Sequence, residues 1–131
     1  MILDTEMYSN TGGQVSKSSN MASILKFSQD GKKDMKKDFG RLAMQYQKVY
    51  VASISLGANY NQSMQAIREA ESYKGPSVII AYAPCIDWGI GMKDGLEWQK
   101  LAVEAGMRKL CRFDPHLVER GMPPRQLTRR D

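Results

Sequence analysis

The chain has 131 residues, 42% hydrophobic and 25% charged, with nineteen Lys and Arg against fourteen Asp and Glu for a net charge of +5. That length accommodates one domain of ordinary size, and the balance of apolar and charged residues excludes disorder throughout. No stretch approaches the roughly 20 uninterrupted apolar residues of a membrane helix, and Met1-Ile2-Leu3 meets Asp4 and Glu6 without the leader of a signal peptide.

Ile2-Leu3 running into Asp4-Thr5 predicts the end of a buried strand that opens into a loop. The loop, from Glu6 to about Asn20, is rich in Ser, Asn and Gly and contains the pair Gly12-Gly13. It is too long and polar for a simple turn, and loops of that kind carry function or are disordered. A short apolar stretch (Ala22, Ile24, Leu25, Phe27) precedes Lys32, Lys33, Lys36 and Lys37, among which Asp34 and Asp38 are set. Asp38 is the expected N-cap of a helix carrying Phe39, Leu42, Ala43 and Tyr46 at helical spacing.

Residues 49–55 are β-branched and mostly apolar, the pattern of a strand covered on both faces. Asn59 caps a second expected helix, marked by Tyr60, Met64 and Ile67 and stopped by Gly75-Pro76. Residues 77–83 are the clearest strand, followed by a loop over 84–89. Trp98, Leu101, Ala102 and Ala105 predict a third helix closed by Gly106, and 110–113 a last short strand before Asp114-Pro115. Residues 1–118 form the expected domain, and 119–131, with Arg120, Arg125, Arg129 and Arg130, a basic tail.

This order is that of an α/β fold, a parallel sheet flanked by helices. In such sheets ligands gather at the C-terminal ends of the strands. Both unusual loops, after Leu3 and after Ala83, leave from those ends, so one site drawing on both is expected.

The lysine run and the tail lack interleaved aromatics or a reading helix, which argues against a nucleic-acid partner. A solvated loop and tail is the expectation, with steering of an acidic protein or a phosphorylated ligand as another reading. Cys85 and Cys111 form no close-set metal motif, and each by default is a small buried apolar residue in an intracellular setting. Phosphate-loop, dinucleotide-turn and nucleophile-elbow motifs are all missing, and the single histidine, His116, reads as a surface residue. Histidine-rich zinc sites are thereby excluded, and conventional hydrolase chemistry is not the expectation.

Asp4-Thr5-Glu6-Met7-Tyr8-Ser9-Asn10-Thr11-Gly12-Gly13-Gln14 is the informative segment. It offers a hydroxyl, amide side chains and a glycine turn at the mouth of a sheet, a loop suited to a divalent cation and a diphosphate. Its glycines are expected to let the backbone approach the ligand and present N–H groups. The segment closely resembles the thiamine-diphosphate loop of pyruvate:ferredoxin (flavodoxin) oxidoreductases, D-T-E-V-Y-S-N-T-G-G-Q, with Met7 replacing Val. Similarity continues through Lys36-Lys37-Asp38, Leu56-Gly57-Ala58-Asn59, Ile79-Ile80-Ala81-Tyr82-Ala83-Pro84-Cys85-Ile86 and Arg112-Phe113-Asp114-Pro115.

The resemblance implies a thiamine-diphosphate-binding fold in which Thr5 binds magnesium through its hydroxyl and Met7 through its backbone carbonyl. It places Asn10 near the diphosphate and the reacting centre, as the catalytic candidate, with Thr11, Gly12 and Gly13 shaping the same cofactor loop. Without it, Thr5 and Asn10 read as turn and cap residues. Cys85 corresponds to a ligand of the 4Fe-4S cluster nearest the thiamine, whose other three cysteines are not in this chain. Cys111 stands where relatives carry an aromatic residue and is not a substitute ligand.

The implied reaction is oxidative decarboxylation of pyruvate to acetyl-CoA and CO2, with coenzyme A as acetyl acceptor and electrons passing through iron–sulfur clusters to ferredoxin or flavodoxin. The implied parent is a homodimer in the cytoplasm, or in a hydrogenosome-like organelle of an anaerobic protist, with no nucleic-acid or membrane partner. The family's G-D-G segment, source of a carboxylate ligand for magnesium, does not precede Asp4; Lys93-Asp94-Gly95 comes much later, on what is expected to be the wrong side of the fold. The chain is therefore expected to be the C-terminal part of the cofactor domain, lacking its N-terminal strands, sharing the cluster with the remaining polypeptide and inactive alone. The alternative is a non-catalytic α/β binding or assembly module derived from that domain.

Overall fold

The computed structural model describes residues 1–128. Arg129 and Arg130 of the expected tail lie outside the described residues. A strand of β-branched and small residues, β2 (Tyr50–Ile54), forms the centre of a five-stranded sheet. It pairs in parallel with β3 (Ser77–Tyr82), from Tyr50 opposite Ser77 to Ile54 opposite Ala81. β1 (Ile2–Asp4) adds to the other edge of β3, also parallel, with Leu3 opposite Ala81. Three of the four strands read as parallel are parallel.

The last expected strand departs from that pattern. β4 (Cys111–Phe113) runs antiparallel to β2, and β5 (Arg125–Leu127), in the expected tail, runs antiparallel to β4. The reason lies in the helix before β4, α3 (Gly95–Glu104). Its Leu96 lies against Gly57 and its Gln99 accepts from the Gly57 N–H at 2.8 Å, both just beyond the C-terminal end of β2. The chain thus stays at that end of the sheet, and β4 has to run back down it, entering opposite Ser53. The same packing brings Lys93-Asp94-Gly95 to the C-terminal end of the parallel strands, contrary to the expected position.

Asp38 accepts from the Arg41 N–H and caps α1 (Phe39–Met44), and Asn59 accepts from the Gln62 N–H and caps α2 (Tyr60–Ser72), as their spacing predicts. The buried faces of the helices are made of small or polar residues, of which the periodicity marked only Ala43 and Ala102. Gly40 and Ala43 are buried on α1, Gln62, Ser63 and Ala66 on α2, and Ala102 on α3. Tyr46, Tyr60, Trp98 and Leu101 are exposed instead. Small side chains let a helix axis approach the sheet, so the larger apolar residues are turned outward. The core beneath α2 is Tyr50, Ala52, Ile54, Ala66 and Ile79. A short α4 (His116–Glu119) leads to β5, and none of the described helices is long and apolar enough to cross a membrane.

Close approach makes Gly57 irreplaceable. A Cβ there would lie 2.4 Å from the Leu96 carbonyl oxygen, a backbone atom that moves only with α3. Gly57→Ala is expected to cost about 1–3 kcal/mol, the range of overpacked sites, measured by urea unfolding.

Candidate cofactor and metal site

β1 delivers the loop of interest at its C-terminal end. Tyr8 and Gln14 close it as a bridge, the Tyr8 N–H donating to the Gln14 carbonyl at 3.0 Å around a 3-10 turn over Ser9–Thr11. Gly12 and Gly13 follow with φ of 88° and 87°. Two consecutive left-handed residues are accessible to glycine and costly for any side chain. Their N–H groups donate to the Ser9 and Tyr8 carbonyls at 3.3 and 3.0 Å. The expectation that they point at a ligand is therefore not met: the turn uses both donors internally. The loop is also tied to Lys26, whose N–H donates to the Gly13 carbonyl and whose carbonyl accepts from Val15.

Thr5 and Met7 are brought together directly. The Thr5 hydroxyl donates to the Met7 carbonyl at 2.9 Å, across a left-handed turn at Glu6 with φ of 64°. Two neighbouring oxygens on an octahedron with bonds of about 2.0–2.1 Å are about 2.9 Å apart, so this pair fits two adjacent positions around magnesium. Met7 is buried, and its carbonyl is the oxygen set beside the Thr5 hydroxyl.

The carboxylates on either side of Thr5 face inward. Asp4 accepts from Lys36 and Arg108, each at 2.8 Å, from the Ser18 hydroxyl, and from the Glu6 N–H at 3.1 Å. Glu6 accepts from Arg108 at 2.5 Å and from Asn20 at 3.2 Å. Burial alone raises the Asp4 pKa, but the Arg108 charge and the hydrogen bonds of Lys36, Ser18 and Arg108 outweigh it and hold the carboxyl at about 2. Burial pushes the Lys36 ammonium pKa down, against the pull of Asp4. Lys32 also turns inward and donates to the Ser19 carbonyl at 2.6 Å. The solvated reading of the lysine run thus fails for Lys32, which donates to backbone carbonyls, and for Lys36, which pairs with buried carboxylates that require a nearby cation. A cleft of about 520 Å³ borders Asp4, Thr5, Glu6, Met7, Lys36 and Arg108.

The second loop reaches the first, as expected of strands that end side by side. The Ala83 N–H donates to the Asp4 carbonyl at 3.1 Å, and the Trp88 indole N–H donates to the Thr5 carbonyl at 3.2 Å. Asp87 stands beside Gly13, its Cβ 3.5 Å from where a Gly13 Cβ would be. Cys85 is half-buried, with its sulfur 3.8 Å from Asp87 Oδ2. Among the described residues no group of three or more His, Cys, Asp or Glu is arranged to hold a metal. Asn10 and Thr11 lie exposed in the 3-10 turn of the first loop.

Cys111 is buried and its thiol pKa is pushed up by burial, in keeping with a small core residue. His116 is exposed, its ring centroid 4.8 Å from that of Tyr73. Sequence reasoning missed Arg108, Lys36, Ser18 and Asn20 as supports of the Thr5 loop. The available signal was the pair of carboxylates flanking Thr5; the strand before them is not the buried one expected, since Ile2 and Leu3 are exposed on this edge strand.

No protein-family model matches the chain. It is 50% identical over 130 residues to the pyruvate-flavodoxin oxidoreductase of a Nostoc species, covering 99% of this chain and 11% of that protein. It is 51% identical over 124 residues to the pyruvate:ferredoxin oxidoreductase of Moorella thermoacetica, 95% of this chain and 11% of that protein. The mitochondrial pyruvate dehydrogenase [NADP(+)] of Euglena gracilis is 50% identical over 129 residues, 97% of this chain and 7% of that protein. The chain spans about a tenth of the length of the first two relatives.

Proposed function

We propose that this chain, which belongs to the pyruvate-flavodoxin and pyruvate:ferredoxin oxidoreductase family as a segment of it, supplies the part of the cofactor site that holds magnesium and thiamine diphosphate. The observation that carries this reading is the 2.9 Å approach of the Thr5 hydroxyl to the Met7 carbonyl at the mouth of the sheet. Thr5 and Met7 would each hold the cation through a neutral oxygen, while Asn10, Thr11, Gly12 and Gly13 form the loop around the diphosphate. Thiamine diphosphate, when bound, supplies the electron sink for decarboxylation of a 2-oxo acid such as pyruvate.

Trp88 would keep the second loop against Thr5 and so keep Cys85 near the cofactor, where its thiolate serves as one ligand of a 4Fe-4S cluster completed by other parts of the enzyme. Coenzyme A would take the acetyl group and ferredoxin or flavodoxin the electrons. Residues 1–118, together with β5 from the expected tail, act as part of the cofactor domain, within a cytoplasmic homodimer. The remaining polypeptide covers the outward apolar residues, including Leu3, Trp98 and Leu101.

The test is a titration of the isotope-labelled chain with Mn2+ and thiamine diphosphate, read by paramagnetic broadening of its amide signals. Broadening centred on residues 5–8 and strengthened by thiamine diphosphate is the expected result. Thr5→Val is expected to weaken Mn2+ binding by about tenfold or more, since even outer partners of metal ligands are worth that much. Broadening centred elsewhere and unchanged in Thr5→Val would overturn the proposal and favour the non-catalytic module.

A further inference from the structure

Glu6 is a buried, non-glycine residue in the left-handed region, with φ of 64°. A side chain in that conformation is held there by its surroundings. Here each of its polar groups is engaged. The N–H donates to Asp4 Oδ1 at 3.1 Å, the carbonyl accepts from the Ser19 hydroxyl at 2.5 Å, and the carboxylate accepts from Arg108 and Asn20. Of these partners, Arg108 is the one that joins the two carboxylates by hydrogen bonds. Arg108 Nη1 donates to Asp4 Oδ2 at 2.8 Å and its Nη2 to Glu6 Oε1 at 2.5 Å, so one planar fork joins the residues before and after Thr5. The guanidinium lies 4.4 Å from the Tyr82 ring centroid, at the end of β3, which fixes its plane. Lys36 cannot replace it. Its ammonium is 2.8 Å from Asp4 but 3.8 Å from Glu6, and a point charge fixes no direction between two carboxylates.

We propose that Arg108 is a positioning residue: by joining the carboxylates on either side of Thr5, it holds Glu6 in the left-handed turn that sets the Thr5 hydroxyl and Met7 carbonyl side by side as a cation-binding pair. The inference rests on the cation-site reading above. It assigns to Asp4 and Glu6 the task of shaping the site, leaving neutral oxygens to face the metal.

The experiment measures the Mn2+ dissociation constant of the full chain, with thiamine diphosphate present, in three variants. Arg108→Lys retains the charge and loses the fork, and is expected to weaken binding about tenfold, the cost of an unsupported left-handed residue. Glu6→Gly in the Arg108→Lys background is expected to restore native affinity, because glycine takes the turn unaided. Native affinity in Arg108→Lys would overturn the proposal by showing that charge alone suffices. Failure of Glu6→Gly to rescue would overturn it by showing that Arg108 acts other than through the turn.

Near-ultraviolet circular dichroism reports folding of each variant. An unfolded Arg108→Lys with a folded, native-affinity double variant supports the proposal. Unfolding of both overturns it, since Arg108 would then serve stability alone. The third variant, Thr5→Val, separates the two readings. Loss of binding there with none in Arg108→Lys defeats only the positioning role, whereas unchanged binding in Thr5→Val defeats the cation site itself.

Discussion

Asp4→Asn is expected to lower the unfolding free energy by about 3 kcal/mol, near the low end for breaking a buried ion pair because Glu6 still serves Arg108 and Lys36 is partly exposed. Asp4 keeps only 7% of its surface, and two cations converge on one of its oxygens. An amide in its place leaves the Lys36 ammonium, already disfavoured by burial, without its nearest counter-ion. The same group sets the acid sensitivity of the fold. Its carboxyl pKa falls from 3.8 to about 2 on folding. A depressed carboxylate stabilises the folded state above its unfolded pKa, and that contribution is lost as pH falls through the folded value. The shift corresponds to roughly 2 kcal/mol, present above pH 3.8 and lost progressively towards pH 2. Urea unfolding of native and Asp4→Asn chains at neutral pH and within this acid window should show the gap between them closing. A constant gap would place the acid sensitivity elsewhere.

Tyr50→Ala is expected to cost about 3–5 kcal/mol, the range for removing a buried aromatic ring. Tyr50 is fully buried at the start of the central strand, and its hydroxyl donates to Glu69 Oε2 at 2.8 Å. Glu69, on α2, also pairs with Arg112 on β4, so Tyr50 connects a helix and an antiparallel strand through one carboxylate. Burial raises the Tyr50 phenol pKa and the bond to Glu69 raises it further, so the hydroxyl remains a donor through the physiological range. Tyr50→Phe separates the two contributions. It keeps the ring and loses one hydrogen bond to a carboxylate, worth about 1.5–3 kcal/mol. A loss in Tyr50→Phe as large as that in Tyr50→Ala would show that the hydroxyl network, rather than ring packing, dominates.

Much of the fold was legible because it follows from local rules. Asp38 and Asn59 cap helices since a short oxygen-bearing side chain reaches N–H groups two or three residues on, a relation contained in a few consecutive residues. β2 and β3 were legible from runs of β-branched residues, and the convergence of two loops followed from their leaving the same end of adjacent parallel strands. Spacing was less informative about which helix face is buried. It marked Tyr60 and Trp98 along with Ala43 and Ala102, and of these four only the two alanines are buried, because distance of approach is decided by the smallest residues on a helix. Nor does spacing carry strand direction: β4 is antiparallel since α3 never leaves the C-terminal end of the sheet.

By itself the sequence of the loop from Asp4 to Gln14 determined the family and set a hydroxyl at Thr5 two residues from the Met7 carbonyl. Hydroxyl, carbonyl and glycine turn are close neighbours along the chain, so their types and order already carry that information. Only the tertiary structure decided what holds the loop in shape. Arg108 is 104 residues from Asp4 and 102 from Glu6, and Lys36 is 32 from Asp4. No periodicity relates positions so far apart. Their pairing arises because two carboxylates carried inward at the end of β1 are stable only where the folded chain brings cations to them.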